Sequence, residues 1–87
     1  MNESDAVIQR VHAIFSRGLR AVEIDLDTPL LDYGLDSVRS VELVVELERE
    51  FEIAISDEEA AALHTAREVI ACVTAKMARV AQAGARA

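Results

Sequence analysis

The 87-residue chain is short of cysteine, proline and basic side chains: one Cys, one Pro, and nine Lys and Arg against sixteen Asp and Glu. Each shortage excludes something. Cys72 alone cannot form an intrachain disulfide, and no Cys/His cluster has zinc-site spacing. The deficit of basic residues leaves a net charge of −7, which repels phosphates and argues against a nucleic-acid partner. No apolar run approaches the roughly 18 residues of a membrane span. The first five residues are polar and acidic, unlike a secretory signal. A cytoplasmic protein with no membrane partner is therefore expected.

What is present is the composition of a folded domain, 52% hydrophobic and 29% charged. Residues 1–87 suffice for one domain, which at this size buries a little over about 60% of its unfolded surface. The charge is unevenly placed. Between Glu23 and Glu59 lie thirteen carboxylates and only Arg39 and Arg49, a local charge of −11, while both ends are slightly positive. Such a run is either a set of solvated helix faces or a surface that steers basic partners.

The apolar pattern is helical. Val7, Ile8, Val11, Ile14, Phe15 and Leu19 predict a first helix over residues 4–19. Residues 20–36 break the period with Pro29 and Gly34 and form a long loop, a feature usually tied to function. Val22, Ile24, Leu26, Leu30, Leu31 and Leu35 are expected to pin that loop to the core. A second helix is predicted over 37–50, closed by Phe51. Ser56 with Glu59 forms a capping-box pattern for a short helix through 63, and Thr65 with Glu68 repeats it for the last helix. Val69, Ile70, Val73, Met77 and Val80 supply that helix's stripe, with Cys72 a small core residue among them. The fold is folded over about 4–81, with 82–87 a frayed tail. An all-α fold follows: a small bundle of three main helices and one short one, with a long loop between the first two.

The second helix is too apolar for a single buried stripe. Leu43, Val44, Leu47 and Phe51 form one face; Val38, Val41 and Val45, continued by Glu48, form another beside it. The second stripe is either a wide buried face or an exposed apolar strip rimmed by carboxylates. At its start, Ser37 stands where the long loop meets a helix N-terminus, a position whose free N–H groups and dipole favour an attached anion. Asp36 and Ser37 are also both good helix caps.

The stretch from Leu31 through Gly34-Leu35-Asp36-Ser37-Val38 to Glu46-Leu47-Glu48-Arg49-Glu50-Phe51 resembles the acyl and peptidyl carrier protein family. The likeness runs on through Ile55, the Asp57–Glu59 turn and Leu63-His64-Thr65. It implies that Ser37 is the attachment point for 4′-phosphopantetheine, delivered from coenzyme A by a phosphopantetheinyl transferase. It further implies that Asp36 supports that transfer, helping the transferase place its magnesium ion and substrate. Val38, Arg39, Val41, Glu42, Val45 and Glu48 would then form the surface read by acyltransferases, ketosynthases or adenylating enzymes. Bacterial fatty-acid carriers typically read Asp-Ser-Leu-Asp, whereas Val38 and Arg39 follow Ser37 here. Arg39 reverses a charge beside the serine and points to polyketide or related natural-product biosynthesis. An aminoacyl or peptidyl carrier is the alternative, and a cofactor-free acidic helical adaptor a further one. A monomer is expected.

Other chemistry finds little support. Only His12 and His64 could serve as a base for a nucleophilic serine, and no phosphate loop or His-Glu metal pattern occurs. Read as an EF-hand beginning at Asp25, the loop would place Pro29 and Leu30 where an oxygen ligand and glycine belong, and Asp36 where glutamate belongs. The chain is expected to be neither an enzyme nor a metal protein.

Overall fold

In the computed structural model, which describes residues 3–85 and the side chains of residues 5–79, the chain is an all-α bundle. Its elements are α1 (Glu3–Leu19), a 3-10 turn (Leu30–Tyr33), α2 (Ser37–Phe51), α3 (Asp57–Ala61) and α4 (Ala66–Ala85). Among the described residues the only extended pairing is a lone bridge between Pro29 and Thr65. The expected architecture of three main helices and one short one is therefore observed.

α1 is the spine, packing against both α2 and α4. It buries Val7, Val11, Ile14, Phe15 and Leu19; α2 contributes Leu43 and Leu47, and α4 contributes Ala66, Val69 and Val73. These are the positions that helical periodicity assigns to the core. α1 and α2 both stop on a residue in left-handed conformation, Arg20 (φ 54°) and Glu52 (φ 53°). In each case the next amide reaches back five residues, Ala21 to the Ser16 carbonyl and Ile53 to that of Glu48.

Gly18 has a different use. It lies inside α1, and a Cβ there would come within 2.5 Å of the Leu43 Cδ2. A bare backbone at this position lets α2 cross α1 closely.

The long loop is anchored as well as packed. Ile24 and Leu30 are buried, and Leu26 and Leu35 lie against the core. The Leu30 amide donates to the His64 carbonyl and the Arg67 amide to that of Leu26. Arg67 also grips both carboxylate oxygens of Asp27, at 2.7 and 3.1 Å. The His12 ring accepts the Ile24 amide through Nε2, so in the neutral ring Nδ1 carries the proton toward Ser16 Oγ. Two expected anchors do not serve: Val22 is 95% and Leu31 74% exposed. Val22 sits at the bend leaving α1, before the segment that Ile24 and Leu26 fasten to the core. Leu31 follows buried Leu30 on a tight turn, where consecutive side chains diverge.

Both predicted capping boxes are present. Ser56 Oγ accepts the Glu59 amide while Glu59 accepts that of Ser56. Thr65 and Glu68 do the same, and Glu68 accepts the His64 amide too. α3 ends at Ala61, earlier than expected, in a turn that bonds the Leu63 amide to the Ala60 carbonyl. α4 stays helical through Ala85, where fraying was expected from 82; alanines with high helix propensity carry it past Gly84. Residues 86–87 of that expected tail, and the Val80 side chain, lie outside the described residues. Cys72 is half-buried rather than central, and partial burial raises its thiol pKa.

Two tests follow from this packing. In Gly18→Ala, overpacking against buried Leu43 costs about 1–3 kcal/mol and outweighs the gain in helix propensity of about 1 kcal/mol. The urea midpoint should fall; an unchanged or higher one would show that Leu43 swings aside freely. The second concerns acid. Hydrogen bonding from Lys76, then from the Ser56 amide, holds the Glu59 carboxyl down to about 2 from its ordinary 4.5. A depressed carboxyl contributes stability that is present above pH 4.5 and lost as pH falls toward 2. Acid unfolding curves of Glu59→Gln should be flatter across that window than those of the wild type; superimposable curves would remove Glu59 from the acid response.

Candidate functional site

The loop delivers the chain to α2 through one tight turn. Gly34 adopts φ 87°, a left-handed conformation that suits glycine, and its amide closes the 3-10 turn onto Leu30 and Leu31. Two residues later Asp36 is extended, and its Oδ1 accepts the Arg39 amide at 2.7 Å. Asp36 is thus the N-cap of α2, one of the roles open to it from sequence. Ser37 is the first helical residue. It is exposed, and its hydroxyl makes no hydrogen bond among the described residues.

The second stripe of α2 faces outward. Val38 is 68%, Val41 64% and Val45 38% exposed, whereas Leu43 and Leu47 are buried. Of the two readings left open by periodicity, the exposed strip is the one the fold adopts. The strip forms the floor of an open groove of about 810 Å³ beside the C-terminal end of α1.

The charged residues assigned to this surface are not equivalent. Glu42 is exposed and without a partner among the described residues. Glu48 is half-buried, and its Oε2 accepts the Ile55 amide at 2.9 Å, tying the chain after α2 back to the helix. Its carboxylate is therefore held by the fold and is less open to a partner than the stripe suggested. Arg39 donates through Nη1 to the Gly18 carbonyl at 2.6 Å, meeting the negative end of the α1 dipole. Sequence reasoning missed that contact, since it joins residues far apart in the chain. It also missed Arg17, on the last turn of α1, and Arg20, just past its end, which reach the groove wall. A signal existed: Arg10 and Arg17, seven residues apart, share a helix face, as do Glu46 and Glu50. The fold pairs them, Arg10 with Glu50 and Arg17 with Glu46 at 4.0 Å.

The aspartates weighed as calcium ligands hold protein groups instead. Asp25 accepts the Asp27 amide, Asp27 binds Arg67, and Asp36 caps α2. Among the described residues no three His, Cys, Asp or Glu side chains converge as a metal site. No described helix is long and apolar enough to cross a membrane.

Comparison with known proteins agrees with this geometry. The family described as "Phosphopantetheine attachment site" matches residues 9–73. An acyl carrier protein of Rickettsia bellii is 32% identical over 73 residues, covering 80% of this chain and 85% of that protein. A non-reducing polyketide synthase of Aspergillus terreus is 35% identical over 57 residues, 66% of this chain but only 2% of the synthase. Among solved structures, an acyl carrier protein of Thermotoga maritima superposes with a TM-score of 0.77 at 25% identity, over 90% of this chain and 94% of that one. The residues match the family over a continuous stretch containing Gly34, Asp36, Ser37 and all of α2, and the fold matches too: the chain belongs to the acyl carrier protein family, whose domain bears covalently attached 4′-phosphopantetheine.

Proposed function

We propose that Ser37 is the attachment residue and that the chain presents biosynthetic intermediates as thioesters to partner enzymes. The observation that carries this reading is the setting of Ser37: exposed, with a free hydroxyl, at the first position of α2 and beside an outward apolar strip. Attached there, phosphopantetheine supplies a long arm whose thiol holds the cargo. The residues fit such a group. The N-terminal end of α2 favours negative charge on Ser37 through its dipole. The Asp36 cap fixes the serine at the helix start, and the Gly34 turn lifts it clear of the core. Asp36 in addition assists the transfer from coenzyme A. The protein contributes presentation rather than catalysis. His12, one of two candidate bases, has both ring nitrogens engaged by Ile24 and Ser16.

Cargo identity passes largely to the partners. The apolar cleft between α2 and the loop, under Leu30, Leu35 and Val44, is about 40 Å³. That is room for a few water molecules and no preformed seat for a long acyl chain. We place the chain in cytoplasmic polyketide or related natural-product biosynthesis, served by a phosphopantetheinyl transferase and by acyltransferase or ketosynthase partners. The likeness to a segment of the Aspergillus synthase supports this, as does Arg39 in place of an acid after the serine.

Incubated with coenzyme A, magnesium and a permissive transferase, the protein should gain the mass of one phosphopantetheine, and Ser37→Ala should gain none. A wild type left unmodified by several such transferases, or a modified Ser37→Ala, would overturn the assignment. Asp36 separates cap from charge. Asp36→Asn keeps a good cap and should hold the urea midpoint, while Asp36→Ala should lose about 1 kcal/mol. Both should slow modification; a wild-type rate in Asp36→Asn would leave Asp36 a cap and nothing more.

A further inference from the structure

The acidic middle of the sequence suggests that α2 offers a negative face, but the folded groove does not. Glu46 and Glu50 lie against Arg17 and Arg10 of α1, and Glu48 is bonded to the Ile55 amide. Of the four glutamates of α2, Glu42 alone lacks a partner among the described residues. Arginines meanwhile converge on the valine floor. Arg17 of α1, Arg20 just past its end, and Arg39 and Arg49 of α2 line the groove, against Asp36, Glu42 and Glu46. The groove is thus locally positive by one charge on a chain of net −7. Arg20 and Arg49 make no ion pair or hydrogen bond with the described residues, and Arg39 meets a carbonyl rather than a carboxylate.

We propose that this groove seats a segment of a partner enzyme that combines an apolar side chain with flanking carboxylates, and that Arg20 and Arg49 select it. The proposal rests on the carrier reading and departs from an all-basic partner surface. The exposed valines supply apolar area to bury, without direction. The unpaired guanidiniums supply the direction, because a planar fork favours a carboxylate in two-point contact. Glu42 lies on the same wall and takes a basic group at the other side of the same segment. Complementary charges of both signs fix the register of docking more than its affinity. A second copy of this chain is disfavoured by the mutual repulsion of two −7 molecules.

The test uses the full chain loaded on Ser37 and two synthetic helical peptides. Both present leucines on one face, flanked by glutamates in one and by lysines in the other. The glutamate peptide should shift the methyl resonances of Val38, Val41 and Val45, and bind less tightly as salt is raised from 50 to 300 mM. Arg20→Glu, and separately Arg49→Glu, should each weaken it by about fivefold while leaving helical content and Ser37 loading unchanged. Equal or tighter binding of the lysine peptide would overturn the proposal. So would shifts that avoid the valines, or self-association in sedimentation that occupies the groove. Loading is read by mass in the same samples. A loaded protein that ignores the glutamate peptide sinks the groove assignment alone; a protein that cannot be loaded sinks the carrier reading.

Discussion

The contact of Leu43 and Leu47 with α1 decides which way every other residue of α2 faces. These two side chains are 5% and 1% exposed, and Gly18 lets α1 approach close enough to seat Leu43. α2 carries more apolar residues than the core can receive, because α1 and α4 already fill the interior with Val11, Phe15, Val69 and Val73. One stripe must be excluded. With Leu43 and Leu47 inside, the helical period of about 100° per residue turns Val38, Val41 and Val45 outward. The exposed strip is thus a consequence of packing at the crossing point. Arg39 secures the same crossing from outside, bonding its guanidinium to the end of α1.

Display of Ser37 needs a second condition, a loop that does not move the start of α2. A connection this long would ordinarily be slack, since chain entropy opposes its ordering. Here three kinds of attachment hold it at separate points. Buried Ile24 and Leu30 fix its body, backbone bonds from Leu30 and to Leu26 join it to the α3–α4 junction, and the Asp27–Arg67 pair clamps its middle. The Asp27 carboxyl is pulled below its usual range by the Arg67 hydrogen bonds, and the Arg67 pKa is raised in return. Exposed pairs of this kind stabilise little by themselves. Their value lies in choosing one path for the loop among several of similar burial. The start of α2, and with it Ser37, is then held at one place relative to the core; on the proposed assignment, reach is left to the arm.

How much of this was legible in the sequence depended on range. Local signals were sufficient for all four helices, for both capping boxes and for the Asp36–Ser37 boundary, because each is written within a few residues. The inner face of α2 was legible for the same reason. The fate of its outer face was not, since periodicity shows that a stripe exists without showing what covers it. Hydrophobicity in a loop does not show where the backbone bends, and so Val22 and Leu31 read as anchors although both are exposed. The Arg39–Gly18 bond and the groove arginines depend on a helix crossing between residues some twenty apart. The Arg10–Arg17 and Glu46–Glu50 spacings were the trace such a crossing leaves, visible only once the two helices are set side by side.

That trace alters the meaning of the chain's charge. Counted along the sequence, the middle segment is strongly negative and α2 is its centre. Counted in space, much of that charge is engaged by the protein's own groups at the surface. Glu46, Glu48, Glu50, Asp27 and Glu59 each face a cation or an amide of the protein itself. A carboxylate already facing a guanidinium projects a weaker field than a free one, and at physiological salt the remainder is screened within about 8 Å. A partner approaching Ser37 therefore meets a local pattern rather than the net charge: valines, Glu42 and a set of arginines. If the groove seats the partner segment proposed above, discrimination among partner enzymes falls to that surface pattern, since the interior offers the cargo almost no room.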